Sequence, residues 1–169
     1  MNFTAIIDSI FFREYKPEYC KFKPKINKTN QLKGNKKPIV LVSNVFARNT
    51  TYKNLLAFLK YDKTEQIKYR HGFVCADFAQ VLHNHAEKAG ITAGWVAVEF
   101  MDGSTHACNV FPTQDKGFVF VDCTGCTEGV SHDTVVYLKK GEMYTQTPIN
   151  NDGWEYVSLG TVKRYKIYW

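Results

Sequence analysis

Three residues of this chain have the types and spacing needed for nucleophilic chemistry: Cys75, His106 and Asp122. A cysteine nucleophile reacts as its thiolate, which is favoured by a nearby positive charge or by the amino-terminal end of a helix. The segment CADFAQVLHNHAEKAG begins with Cys75, and its apolar residues recur at helical spacing up to Gly90. We therefore expect Cys75 in the first turn of a helix, where unpaired amide groups favour an anion and can donate to an oxyanion.

The histidine and the aspartate fall in two segments, THACNVF and GFVFVDC, that predict antiparallel strands joined by a turn at PTQDK. If Phe111 pairs near Phe118, His106 lies opposite residue 122 or 123. Directly opposed side chains share one face of a sheet, so Asp122 is expected to orient the imidazole ring of His106 towards the thiol proton. The sequence thus predicts a triad in the order cysteine, histidine, aspartate.

The elements around these residues predict a single α+β domain. The segment ARNTTYKNLLAFLKYD favours a first helix that carries Leu55, Leu56 and Leu59, with Asn49 or Thr50 as its N-cap. Strands are predicted for GWVAVEF and for the two hairpin segments, which together form an antiparallel meander. Further strands are predicted for TVVYLKK, EMYTQT, EYVSLG and VKRYKIYW.

The segments FVCADFAQVLHNHAEKAGI, GSTHACNVF and GFVFVDCTG, in this order, resemble the core of the transglutaminase-like superfamily. The resemblance covers roughly residues 49–126. It implies a papain-like α+β fold, in which the nucleophile helix packs against an antiparallel sheet, and acyl transfer from amide substrates through a thioester. It assigns Cys75 as the nucleophile, His106 as the base and acid, and Asp122 as the orienting carboxylate.

Two positions refine what the resemblance implies. Animal transglutaminases carry a tryptophan directly after the cysteine, where this chain has Ala76. Hydrolysis of a peptide or other amide is therefore favoured over protein crosslinking. Papain-like proteases supply an oxyanion donor from a glutamine six residues before the cysteine, and Tyr69 occupies that position here. The expected partner is a peptide or protein amide substrate, no cofactor is implied, and the sequence does not indicate an oligomeric state.

Other polar motifs leave two alternatives open. Cys123 and Cys126 form a CTGC motif, which could be half of a zinc site, so a zinc-stabilised domain is one alternative. A non-catalytic binding module of the same fold is the other. His83 and His85, like Asp77 and Glu87, are interpreted as solvated polar positions on the surface of the nucleophile helix.

The formal net charge of +6 is concentrated in the first 38 residues, which hold nine Lys or Arg against three acids. Residues 1–37 are predicted to be a basic amino-terminal arm or linker, with a loop from Cys20 to Pro38, and residues 38–169 to be the catalytic domain. Nucleic-acid binding is not expected, because no recognised motif accompanies the charge. The sequence has no run of eighteen apolar residues and no clear export signal, which predicts no membrane span and favours the cytoplasm.

Overall fold

The computed structural model describes residues 25–34, 37–150 and 158–169, the first of these ranges by its backbone alone. The described chain has an α+β architecture, as predicted, with two α-helices and eight strands. In chain order the elements are β1 (Lys25–Gly34), β2 (Lys37–Ser43), α1 (Tyr52–Tyr61), α2 (Cys75–Lys88), β3 (Gly94–Phe100), β4 (Thr105–Thr113), β5 (Gly117–Asp122), β6 (Thr134–Tyr137), β7 (Thr145–Pro148) and β8 (Val162–Tyr168). A short 3₁₀ helix (Thr64–Gln66) follows α1.

The main sheet has six strands in the order β7-β6-β5-β4-β3-β8, and every neighbouring pair is antiparallel. The predicted meander is confirmed as β3, β4 and β5. The strand predicted for EYVSLG is not present in its described part, because residues 158–160 form no strand, and residues 155–157 lie outside the described residues. None of the described helices has the length and apolarity needed to cross a membrane.

The register of the β4–β5 hairpin differs from the prediction. Phe111 pairs with Val119, because the connection is a tight turn closed by the Thr113–Gly117 pair. The Thr113 hydroxyl donates to the Gly117 carbonyl and accepts from the Lys116 amide. Continuing this register places position 108, and not position 106, opposite position 122. The placement of His106 directly opposite residue 122 or 123 was therefore wrong, and the two side chains are diagonal neighbours on one face.

Both predicted helices are present and pack on the same face of the sheet. Helix α1 is capped by Thr51, one residue later than predicted, whose side chain accepts from the Asn54 amide. Helix α2 ends just before Gly90, which has a φ of +80°. Their apolar sides share a core with β4 and β5, formed by Leu55, Phe58, Leu59, Phe78, Leu82, Ala86, Phe111, Val119 and Val121 among others.

The second side of α2 is covered by the β1–β2 hairpin, which the sequence did not predict. The loop predicted from Cys20 to Pro38 is wrong for Lys25–Gly34, because these residues pair antiparallel with β2. Ile39 and Leu41 of β2 are buried together with Ala79 of the helix. The domain boundary at residue 38 remains a prediction.

Polar side chains of α2 bind the backbone of β2 along its second edge. Gln80 Oε1 accepts from the Val40 amide, and Asn84 accepts from the Val42 amide and donates to the Val40 carbonyl. Glu87 Oε2 accepts from the Asn44 amide at 2.8 Å. The interpretation of Glu87 as a solvated position was therefore wrong.

The two histidines of α2 lie in different environments. His83 is fully buried, and burial lowers its pKa to about 4, so its interpretation as a surface residue was wrong. His85 is half exposed, and its Nδ1 lies 2.6 Å from Asp62 Oδ2. The helix thus has one histidine in the interior and one at the surface.

Candidate active site

The structure places Cys75 at the first position of α2. The Val74 amide, just before the helix, donates to Asp77 Oδ2 at 2.9 Å, so Asp77 caps the helix and is not a free surface carboxylate. The amides of a first helical turn have no acceptor within the helix. The Cys75 amide is therefore available to an oxyanion that forms beside the sulfur.

The indole of Trp95 fixes this first turn against the sheet. Its Nε1–H donates to the Ala76 carbonyl at 3.1 Å, and the side chain is almost completely buried. Trp95 is the second residue of β3, so its hydrogen bond ties the start of α2, and with it Cys75, to the sheet. This contact was not predicted, because it joins residues nineteen positions apart on different elements.

His106 lies between the thiol and a buried carboxylate. Its Nε2 is 2.6 Å from Asp122 Oδ2. The Cys75 thiol lies near enough to the same ring to affect its pKa, and Nδ1 is the nitrogen left for that thiol. Burial alone would lower the pKa of His106. The charge and hydrogen bond of Asp122, followed by the contact with Cys75, outweigh burial and raise this pKa to about 10. His106 is therefore held as an imidazolium at neutral pH.

The Asp122 carboxylate is held by four donors. Its Oδ2 accepts from His106, from the Tyr144 hydroxyl at 2.9 Å and from Gln146 Nε2 at 3.0 Å. Its Oδ1 accepts from the Thr124 amide at 2.9 Å. Burial acts to raise the pKa of Asp122, but the charge and hydrogen bond of His106, with the hydrogen bonds from Thr124, keep this pKa below its usual value. Asp122 is thus an anion held in place at the Nε2 side of the imidazole ring.

Tyr144 and Gln146 were not identified from the sequence as site residues. Burial, followed by the charge of Asp122, raises the pKa of Tyr144, so its hydroxyl remains a donor. The Tyr144 ring also meets the His106 ring edge to face at 5.6 Å. The two residues are separated by one position in EMYTQT, so a strand would direct them to one face. That spacing was the only sequence signal of a shared role.

A cleft of about 770 Å³ opens over Cys75 and His106. One wall is the start of α2, the opposite wall is β8, and the floor between them is formed by small residues of β3 and β4. The lining residues include Val74, Cys75, Ala76, Trp95, Ala97, Glu99, Thr105, His106, Ala107, Arg164, Tyr165, Lys166 and Tyr168. The thiol is half-buried and opens onto a space large enough for several residues of an extended peptide.

Two other predicted positions lie outside this cleft. Tyr69 stacks on Phe78, with ring centroids 6.2 Å apart, and does not line the cleft. Its role as an oxyanion donor remains a prediction. In the CTGC motif, Cys123 is buried and Cys126 half-buried. Within the described part of the chain, no group of three or more His, Cys, Asp or Glu residues is arranged to hold a metal ion.

Comparisons with models of protein families, with curated proteins and with solved structures give no match to this chain. The chemistry of the site must therefore be argued from its own geometry. A thiol at a helix start, an imidazolium and a buried carboxylate in one chain of contacts can form a nucleophile and a proton donor side by side. Such a pair can attack an electrophilic carbonyl and protonate the group that leaves.

Proposed function

We propose that this protein is a cysteine-dependent acyl hydrolase or acyltransferase that acts on peptide or other amide bonds through a thioester. The observation that carries the proposal is the position of His106, which is hydrogen-bonded to Asp122 and adjacent to the thiol of Cys75. Hydrolysis is favoured over protein crosslinking. The fold family proposed for this activity is the transglutaminase-like, papain-like core.

In the acylation step, the Cys75 sulfur attacks the carbonyl carbon of the amide and a carbon–sulfur bond forms. The carbonyl oxygen takes the negative charge and accepts a hydrogen bond from the Cys75 amide. The electron pair then re-forms the carbonyl, the carbon–nitrogen bond breaks, and His106 gives its proton to the leaving amine. The products of this step are a free amine and a thioester on Cys75.

In the deacylation step, neutral His106 takes a proton from a water molecule that attacks the thioester. The carbon–sulfur bond breaks, the carboxylic acid leaves, and the sulfur returns beside the imidazolium. Asp122 keeps its charge throughout and stabilises the imidazolium. The sum is one amide and one water converted into one acid and one amine.

The proposal is tested by identifying which of the five thiols reacts first with limiting iodoacetamide at mildly acidic pH. Peptide mass spectrometry should find the label on Cys75. His106→Gln should slow this labelling by at least about tenfold at that pH. Cys126→Ala is the matched control, because Cys126 is also a half-buried free thiol.

Turnover is measured on the same proteins with a panel of peptide anilides. Wild-type protein should release the aniline and show an acyl adduct on Cys75, and Cys75→Ala should do neither. Labelling of Cys126 first, with Cys75 inert until the protein is unfolded, would contradict the proposal. Inert thiols together with no turnover would favour a binding module.

A further inference from the structure

The cleft contains a row of residues that leads from the triad to its outer wall. Lys166 of β8 pairs with Ala97 of β3, and Ala97 pairs with Ala107 of β4. Cys75 and Ala97 both pack against the buried cluster that contains Ala107. Neighbouring strands lie about 4.8 Å apart, so the backbone of Lys166 is about 10 Å from that of Ala107. The two alanines leave the floor of the cleft open between the triad and Lys166.

The outer wall carries positive charge that is only partly neutralised. Glu99 binds Lys163 Nζ at 2.6 Å and Arg164 Nε at 2.6 Å, so one carboxylate faces two cations. Within the described residues Lys166 forms no ion pair, and its ammonium lies 4.8 Å from the centroid of the Tyr168 ring. Both Lys166 and Tyr168 line the cleft. The β8 wall of the cleft therefore offers the Lys166 ammonium group, in contact with the Tyr168 ring, to a bound substrate.

We propose that Lys166 binds a carboxylate of the acyl donor and so gives the enzyme a preference for anionic amide substrates. This inference rests on the proposed function. An extended peptide advances about 3.3 Å per residue, so a span of about 10 Å places the carboxylate about three residues from the scissile amide. The carboxylate can belong to an acidic side chain or to the free carboxyl terminus of a short peptide.

The test compares kcat/KM for three peptides with an amidated carboxyl terminus, which carry Glu, Gln or Lys about three residues from the scissile amide. A fourth peptide carries Gln at the same position and has a free carboxyl terminus. Wild-type protein should prefer the Glu peptide over the Gln peptide by up to about fivefold, the upper end of the range for a solvent-exposed ion pair. Lys166→Gln should remove this preference, so that the ratio of kcat/KM for the Glu peptide to that for the Gln peptide falls to about one. Lys166→Glu should reverse it in favour of the Lys peptide. If only the free carboxyl terminus confers the preference, that terminus is the ligand.

The control variant is Lys139→Gln, because Lys139 is an exposed lysine outside the cleft that pairs with Glu142. An equal loss of kcat/KM on all peptides in Lys166→Gln, or no change in kcat/KM on any peptide, would overturn the inference.

A second readout separates this inference from the proposed function. The Glu peptide, more than the Gln peptide, should protect Cys75 from iodoacetamide, and Lys166→Gln should abolish the difference. If the Glu peptide protects Cys75 more than the Gln peptide does but neither is turned over, the binding site is supported and the proposed activity is rejected. If both peptides protect Cys75 equally, the binding site is rejected.

Discussion

Replacement of Cys75 by Ala should make the stability of the protein fall steeply between pH 7 and 8.5. The raised pKa of His106, about 10, means that its proton contributes stability that is fully present below the unfolded value of about 6.5. That stability is lost as the pH rises towards 10, because the unfolded chain binds fewer protons than the folded one. The two contributions of Asp122 to this shift rank above those of Cys75, so they persist in Cys75→Ala.

The expected slope is at most about 1.4 kcal/mol per pH unit, or at most about 2 kcal/mol between pH 7 and 8.5. These are upper bounds, because Cys75→Ala also removes the two contributions of Cys75 that raise the pKa of His106.

The free energy of unfolding is measured by urea titration at a series of pH values, with the fluorescence of the three tryptophans as the signal. Cys75→Ala/His106→Gln is the reference, because it retains every other titrating group, including Asp133, whose pKa burial raises to about 8. Parallel pH profiles for Cys75→Ala and this double variant would refute the raised pKa of His106.

Two further substitutions test how Asp122 and the loop after it are held. Tyr144→Phe removes one hydrogen-bond donor from Asp122 and should lower kcat/KM about tenfold in the peptide anilide assay. Tyr137→Phe, at an exposed tyrosine, is the control and should leave kcat/KM unchanged. Equal activities of the two variants would exclude a positioning role for Tyr144. Gly125→Ala should lower the free energy of unfolding in urea by about 2–3 kcal/mol, because a Cβ there would overlap the Ile67 carbonyl oxygen and lie 2.8 Å from the Phe78 ring. Gly129 has open space at a Cβ but a φ of +83°, so Gly129→Ala should show only the cost of that backbone conformation, about 1–2 kcal/mol. A cost at Gly125 no larger than at Gly129 would contradict the steric argument.

The parts of the fold that were predicted are those with short-range signals. The apolar spacing after Cys75 and the stop at Gly90 predicted α2, and alternating residues predicted the meander. The β4–β5 register was missed because the length of the turn depends on a hydrogen bond from the Thr113 hydroxyl, which the hydrophobic pattern does not encode.

The parts that were missed depend on contacts between distant segments. The hairpin of β1 and β2 packs along one side of α2, and His83 and Glu87, which were expected to face solvent, are buried. The support of Asp122 by Tyr144 crosses 22 positions of sequence. Local propensity carries no information about such pairs, whereas the His106–Asp122 contact could be anticipated because both residues belong to one hairpin.

The hydrogen bonds from α2 to β2 also affect how this protein behaves at high concentration. A strand with one unpaired edge presents amide and carbonyl groups on which a strand from another molecule can assemble. On β2 those groups are occupied by Gln80 and Asn84, and Glu87 binds the amide of Asn44 just after the strand, so the helix takes the place that a further strand would fill. The side chains that attach α2 to β2 therefore also protect β2 from intermolecular strand pairing and aggregation.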